Sequence, residues 1–305
     1  MSKPNFPHEF HPYVIGIGEV LWDLFPDNRR VGGAPLNFAY FCGRLGARSA
    51  VISRVGKDEE GRALIEAIAQ LGVETSLIQV DQEKPTGMVR VTVGPNGIPE
   101  FECTEDTAWD YIEATAEAME AAKTADILGF GTLAQRKDPS WKTIHRLLAQ
   151  AKPECLRVCD VNLRQQYYSP EFLTESFIQS DIVKLNEVEL GIVKNVLKIG
   201  PSDDQAARHL VETFDLTALV LTLGPHGAKA WSENDYAEQA GLVVRVRDTV
   251  GSGDAFVATF AMEIARGSSL ANALYWANTA GAYLATQVGA TPEFSWELLR
   301  SFSRR

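Results

Sequence analysis

No stretch of the 305-residue sequence carries the ~20 consecutive uncharged apolar residues that a bilayer span requires. No run of lysine and arginine forms a basic stripe, and the net charge is −11, so nucleic acid is not expected as a partner. Cysteine is scarce: Cys42, Cys103, Cys155 and Cys159 form no CxxC pair, and no histidine cluster joins them at zinc-ligand spacing. They read as reduced thiols of a cytoplasmic protein, packed as small hydrophobes. The first residues, Met1-Ser2-Lys3-Pro4-Asn5-Phe6-Pro7, lack the apolar core of a signal peptide, and His8 and His11 read as a Pro-rich tail instead of a metal pair. GxxxxGK[ST] is absent, His145-Arg146-Leu147 departs from HRD, and no DFG follows it. P-loop and protein-kinase mechanisms are therefore excluded on motif grounds. Gly16-Ile17-Gly18 has Leu21 where a dinucleotide fingerprint needs its third glycine.

The chain does have ordinary globular composition, 45% hydrophobic and 23% charged. Short apolar runs at 14–18, 50–55, 125–130, 156–161, 181–185 and 219–223 read as strands buried on both faces. Amphipathic segments at 58–71, 141–151 and 205–214 lie between them. In the first, Leu64, Ile65, Ile68 and Leu71 form one stripe, and Gly72 closes the helix. This alternation predicts an α/β fold with a mostly parallel sheet and helices on both sides. Residues 24–33 and about 86–107 break the rhythm, with Gly-Pro-Asn-Gly turn chemistry at Gly94 to Gly97. They read as a small antiparallel flap on one domain spanning 1–305.

The most informative segment is Asp248-Thr249-Val250-Gly251-Ser252-Gly253-Asp254, followed by an almost wholly apolar helix at 255–265. Three small residues ahead of that helix leave first-turn N–H groups to bind an anion, favoured also by the helix dipole. A carboxylate there, Asp254, can take a proton from an incoming hydroxyl while the turn holds a phosphoryl group. Asp is also a common first-turn residue, and an isolated GSGD would be read that way. The residues on either side favour chemistry. Upstream, the glycine pair of Gly32-Gly33-Ala34-Pro35-Leu36-Asn37-Phe38-Ala39 lets backbone approach a ligand, and Asn37 offers a donor and an acceptor to hydroxyl groups. Arg164, in Asp160-Val161-Asn162-Leu163-Arg164, can hold phosphate or substrate oxygen, or equally make a surface ion pair.

These segments resemble the two signatures of the PfkB (ribokinase-like) carbohydrate kinase family, and the likeness runs from Gly18 to Gly289. The resemblance implies a three-layer α/β/α fold with a small β lid, and ATP-dependent phosphorylation of a sugar. It implies that Gly251, Ser252 and Gly253 contact the transferring phosphate and that Asp254 is the base. It casts Asp23, at the end of the first strand, as a sugar-hydroxyl acceptor beside Gly33, Asn37 and Arg164. Asn186-Glu187-Val188-Glu189 resembles the NxxE motif that places Asn186 and Glu189 near the water shell of Mg²⁺. Thr222, Gly224 and Gly227 resemble a turn flanking ATP, in which His226 is a turn residue, and Asn278 lies on the helix bordering adenine. Asp248, Val250 and Gly289 resemble the monovalent-cation loop of some members, which leaves K⁺ activation as an open reading. Thr259 departs from the family's small residue and implies altered helix packing. Within the family, Gly-Gly-Ala-Pro-Leu-Asn-Phe-Ala and Thr107-Ala108-Trp109-Asp110 look most like fructokinases. Kinases of 2-keto-3-deoxygluconate, ribose or nucleosides are the alternatives, with a non-catalytic sensor of the same fold behind them. The flap offers no Tyr-x-Arg pattern for an acid sugar; Phe101-Glu102 is a poor substitute. Relatives also suggest a homodimer through the lid.

Overall fold

The computed structural model describes residues 11–93 and 99–304; His8 and the turn at 94–97 lie outside them. The strands are β1 Tyr13–Ile17, β2 Leu21–Leu24, β3 Arg29–Gly32, β4 Arg48–Gly56, β5 Ile78–Asp81, β6 Met88–Val93 and β7 Pro99–Cys103. They continue with β8 Ile127–Gly131, β9 Leu156–Asp160, β10 Ile182–Asn186, β11 Ala218–Thr222, β12 Gly227–Trp231 and β13 Tyr236–Ala240. The helices are α1 Ala34–Arg44, α2 Glu59–Gln70, α3 Ala116–Thr124, α4 Asp138–Gln150 and α5 Pro170–Ile178. After them come α6 Glu187–Leu197, α7 Asp203–Phe214, α8 Ser252–Ala265, α9 Leu270–Ala285 and α10 Trp296–Phe302.

Nine strands form the central sheet in the order β13-β12-β11-β10-β9-β8-β1-β4-β5. Every pairing from β11 to β5 is parallel, and β12 and β13 add an antiparallel edge. Side-chain alternation divides the core between the two faces. Val14, Val51 and Ile182 pack with α1, α8 and α9, whereas Ile15, Ile52 and Val183 pack with α4, α5 and α7. Each large apolar side chain so buried contributes about 1.5–3 kcal/mol. The chain leaves β1 for β4 on one side and later returns to β8 on the other. Their carboxyl ends therefore face the crevice in which open α/β sheets bind ligands.

The helix expected at 58–71 forms as α2, capped by the Asp58 carboxylate on the Gly61 N–H (2.7 Å) and closed by Gly72 at φ +83°. The apolar helix, α8, starts at Ser252, so Ser252, Gly253 and Asp254 make its first turn instead of preceding it. Thr259 is fully buried within it and bonds the Ala255 carbonyl one turn back (2.8 Å), so its hydroxyl is satisfied without a partner from α9.

The flap segments form a separate sheet, β3-β2-β6-β7, which is mixed and not antiparallel. Its two hairpins meet along β2 and β6, which run parallel (Trp22 opposite Met88). The cause lies in the parent sheet. β1 and β5 run the same way, so the chain emerges from both in one direction before entering β2 and β6. Trp22 anchors the small sheet, burying its ring and donating its indole N–H to the Glu60 carbonyl of α2 (3.0 Å). Among the described residues, no helix is long and apolar enough to cross a membrane.

Candidate active site

The head of α8 sits against α1 and the carboxyl ends of β8 and β9, around a small recess lined by Pro35, Phe38, Gly131, Asp160 and Asp254. Gly251 precedes the helix at φ +80°, and a Cβ there would meet the Ala290 carbonyl oxygen at 2.8 Å; no other residue takes this turn without strain. The Ser252 N–H bonds the Thr249 carbonyl (3.1 Å), which leaves the helix-start donors of Gly253 and Asp254 facing outward from the ladder. The Ser252 hydroxyl is buried and has no partner.

Asp254 is half-buried, and its Oδ2 accepts the Asn37 amide at 2.7 Å, which fixes the carboxylate's rotamer from α1. Asn37 itself is only 5% exposed, and its Oδ1 is a buried acceptor without a partner in the chain. Burial, then the neighbouring Asp160 charge, raises the Asp254 pKa to about 6, against the pull of Asn37, Lys184 and Arg164.

Two buried charges here carried no motif. Lys184 stands on β10 beneath the turn: a Cβ on Gly253 would lie 3.3 Å from its Nζ. It donates to Asp160 Oδ1 (2.9 Å). Burial would lower its pKa, but Asp160 and Glu189 hold the ammonium above the ordinary lysine range. Glu19, 2% exposed, follows β1; its Oε1 accepts the Ala34 N–H at the start of α1 (3.3 Å), and its Oε2 is unpartnered. Burial lifts its pKa to about 7. A lysine inside an apolar strand and a glutamate in a tight turn give no periodic signal; only an ionisable residue within a run read as buried could have flagged Lys184.

Arg164 links two of the other candidates, since its charge acts on both Asp23 and Asp254. Asp23 is not at the end of the first strand of the central sheet. That strand stops at Ile17, and Asp23 lies in β2 of the small sheet, opposite Arg30. Burial raises its pKa to about 6, tempered by Arg164 and Arg30. Gly33 caps α1 at φ +118°, where a Cβ would sit 2.4 Å from the Glu19 carbonyl oxygen, so this junction also requires glycine. Arg164 is half-buried, and its charge acts on Glu19, Asp23 and Asp254 together.

The nucleotide-side candidates also gather. Asn186 ends β10 and lies beside Thr222, the last residue of β11. Gly224 and Gly227 bound the following turn, with His226 exposed on it. Gly227 pairs with Ala240, whose carbonyl accepts the buried Asn278 amide (2.9 Å). Asn186 and Glu189 form a capping box on α6, and the second Glu189 oxygen accepts the Leu163 N–H (3.2 Å). Both oxygens of this buried carboxylate are thus engaged with backbone, which suits contact with a metal's water shell better than direct ligation. Among the described residues, no three histidine, cysteine or acidic side chains cluster as a metal site. A magnesium ion carried in on ATP, held by phosphate and water, fits that arrangement. Asp248 accepts from Val250 N–H (3.0 Å), Gly289 N–H (3.0 Å) and Arg30 Nη1 (3.3 Å).

The sequence matches the family of pfkB carbohydrate kinases over residues 26–297. It is 30% identical over 268 residues to an uncharacterized sugar kinase of Pyrococcus horikoshii, covering 82% of each chain. It is 29% identical over 311 residues to Fructokinase-1 of Oryza sativa subsp. japonica, covering 93% of this chain and 95% of the other. The fold superimposes on a fructokinase from Vibrio cholerae O395 bound to fructose, ADP and calcium ion with TM-score 0.81, at 25% identity, over 95% of this chain and 98% of that one. A fructokinase with bound ATP from Xylella fastidiosa shares the fold at TM-score 0.84 and 20% identity, over 96% and 98% of the two chains. With the fold, the helix-head carboxylate and the family match in agreement, this chain belongs to the pfkB family of carbohydrate kinases and is an ATP-dependent sugar kinase.

Proposed function

We propose that the enzyme transfers the γ-phosphoryl group of ATP to the primary hydroxyl of fructose, giving fructose 6-phosphate, with Asp254 as the general base. The observation that carries this reading is the Asn37–Asp254 pair, a proton acceptor of raised pKa held rigidly at the head of α8 beside an unfilled amide oxygen. The hydroxyl oxygen attacks phosphorus as the bond to ADP breaks, and its proton passes to Asp254. The helix-start amides of Gly253 and Asp254, the Ser252 hydroxyl and the Lys184 ammonium beneath them oppose the charge on the transferring group. Gly251 supplies the turn. Magnesium enters with ATP as part of the substrate, near Asn186 and Glu189. Thr222, Gly224, Gly227 and Asn278 border the nucleotide, and the small sheet closes over the sugar to exclude water.

The charge balance favours a neutral sugar. Around Cys103 on β7 lie Arg136, Glu19, Arg164 and Asp23. Arg136 is already neutralised by both oxygens of the buried Asp110 carboxylate (2.7 and 2.8 Å). The remaining acids outnumber Arg164, so a substrate carboxylate finds no unbalanced cation, whereas hydroxyls find acceptors. Fructokinase relatives support fructose in particular.

The test is ATP consumption by the purified protein across a panel of fructose, ribose, 2-keto-3-deoxygluconate and nucleosides. Fructose should give the highest kcat/KM; a higher value for any other member overturns the assignment. Asp23→Ala should raise the KM for fructose at least tenfold or so, while moving the KM for ATP less than about twofold. Equal effects on both would remove Asp23 from the sugar side.

A further inference from the structure

The loop before α8 is met by a cation from a distant part of the chain, Arg30. Asp248 Oδ2 accepts the Gly289 N–H (3.0 Å) and Arg30 Nη1 (3.3 Å), while Oδ1 accepts the Val250 N–H (3.0 Å). Arg30 belongs to β3 of the small sheet, 218 positions away in sequence. Phe25 steadies it, with the guanidinium 4.8 Å from the ring centroid. In the β2–β3 pairing Arg30 stands directly opposite Asp23, so the two side chains share one face of the small sheet. Its charge lowers the Asp23 pKa against the larger effect of burial. One guanidinium therefore faces both the candidate sugar acceptor and the carboxylate that shapes the phosphate-binding turn. The ion pair is one-third and one-fifth exposed at its two side chains (33% and 20%), sheltered enough to keep much of its strength in salt.

A potassium ion does not fit beside this arrangement. Oδ2 already receives two donors, one of them cationic, and a second positive charge within bonding reach of the same carboxylate would be repelled by Arg30. We infer that Arg30 takes the place of a monovalent cation at the Asp248 loop, making turnover independent of potassium and tying the small sheet to the phosphate turn. This inference rests on the kinase reading but not on the identity of the sugar. Arg30 is a positioning residue, acting through Asp248 and Asp23.

The experiment measures turnover of the full chain with MgATP and the best sugar of the panel, in KCl and in choline chloride at equal ionic strength. The melting temperature with MgADP, recorded in both salts, gives a second readout that needs no turnover. Wild type should change less than about twofold in kcat/KM between the salts and melt at the same temperature in each. Arg30→Gln in choline should lose about tenfold in kcat/KM, and potassium should restore part of that loss and raise its melting temperature. Arg30→Lys, which keeps a charge, should stay near wild type in choline. Wild-type activity rising more than about fivefold with potassium would overturn the inference. So would an Arg30→Gln enzyme equal to wild type in choline. Failure with fructose alone leaves the salt comparison readable on another sugar, and a potassium effect on wild-type melting counts against the inference even without turnover.

Discussion

Asp254→Asn should cut kcat by about 10²–10⁴-fold and leave the protein folded. Asparagine keeps the shape and can still accept the Asn37 amide, but it cannot take the substrate proton. Stability should hold or improve. The folded-state pKa of about 6 lies above the ordinary carboxyl value of 3.8, so the folded protein binds this proton more tightly than the unfolded chain. Ionised Asp254 therefore destabilises the fold above about pH 6, and the cost is relieved as pH falls toward the ordinary value. An uncharged side chain removes that cost. The same shift sets the acid limb of the wild-type enzyme: kcat/KM should fall toward about tenfold per unit once pH drops below about 6, because the base is then protonated. Glu19 and Asp23, raised to about 7 and about 6, titrate nearby, so the limb should begin between them as a composite. Steady-state kinetics and thermal melting decide the matter; a wild-type kcat in the variant would remove Asp254 as base.

Lys184→Met should destabilise the protein by about 3–5 kcal/mol, because it strands buried carboxylates without their cation. Lys184 and Asp160 are each under 9% exposed, and Glu189 lies beside them at 4%. Methionine fills the volume but leaves Asp160 without its ion-pair partner and Glu189 without the neighbouring charge that lowers its pKa. A second readout separates structure from catalysis. Lys184 holds the Asp254 pKa down, so its loss should move the acid limb of surviving activity to higher pH. Denaturant melts give the stability and pH–rate profiles the limb. An unshifted limb would confine Lys184 to a packing role.

Much of this was legible from residue order. The apolar runs marked the parallel strands because buried strands need nothing but bulk, and glycine clusters marked the turns because positive φ tolerates little else. Gly33 at φ +118° and Gly251 at φ +80° bear that out. The hairpin β12–β13 was not read, since Thr222 to Gly227 carried a binding signature that masked its role as a strand connection. Strand β5 is four residues long, too short for a pattern. The parallel contact of β2 with β6 joins segments more than 60 positions apart, and no local pattern encodes such a pairing. Within the site, signature residues were readable one by one. Glu19 and Lys184 were not, because their importance comes from what surrounds them after folding.

The Asn37–Asp254 contact spans 217 positions of chain. A nascent chain halted before residue 252 lacks α8 and α9, which in the finished fold share the core that buries Leu36 and Phe41 of α1. Asn37, Asp254 and the turn at Gly251 come into register only when the polypeptide from Ser252 onward docks. Catalytic competence is thus a late event in biosynthesis, and a ribosome-stalled or C-terminally clipped copy would present a sticky, inert surface in place of a partly working enzyme.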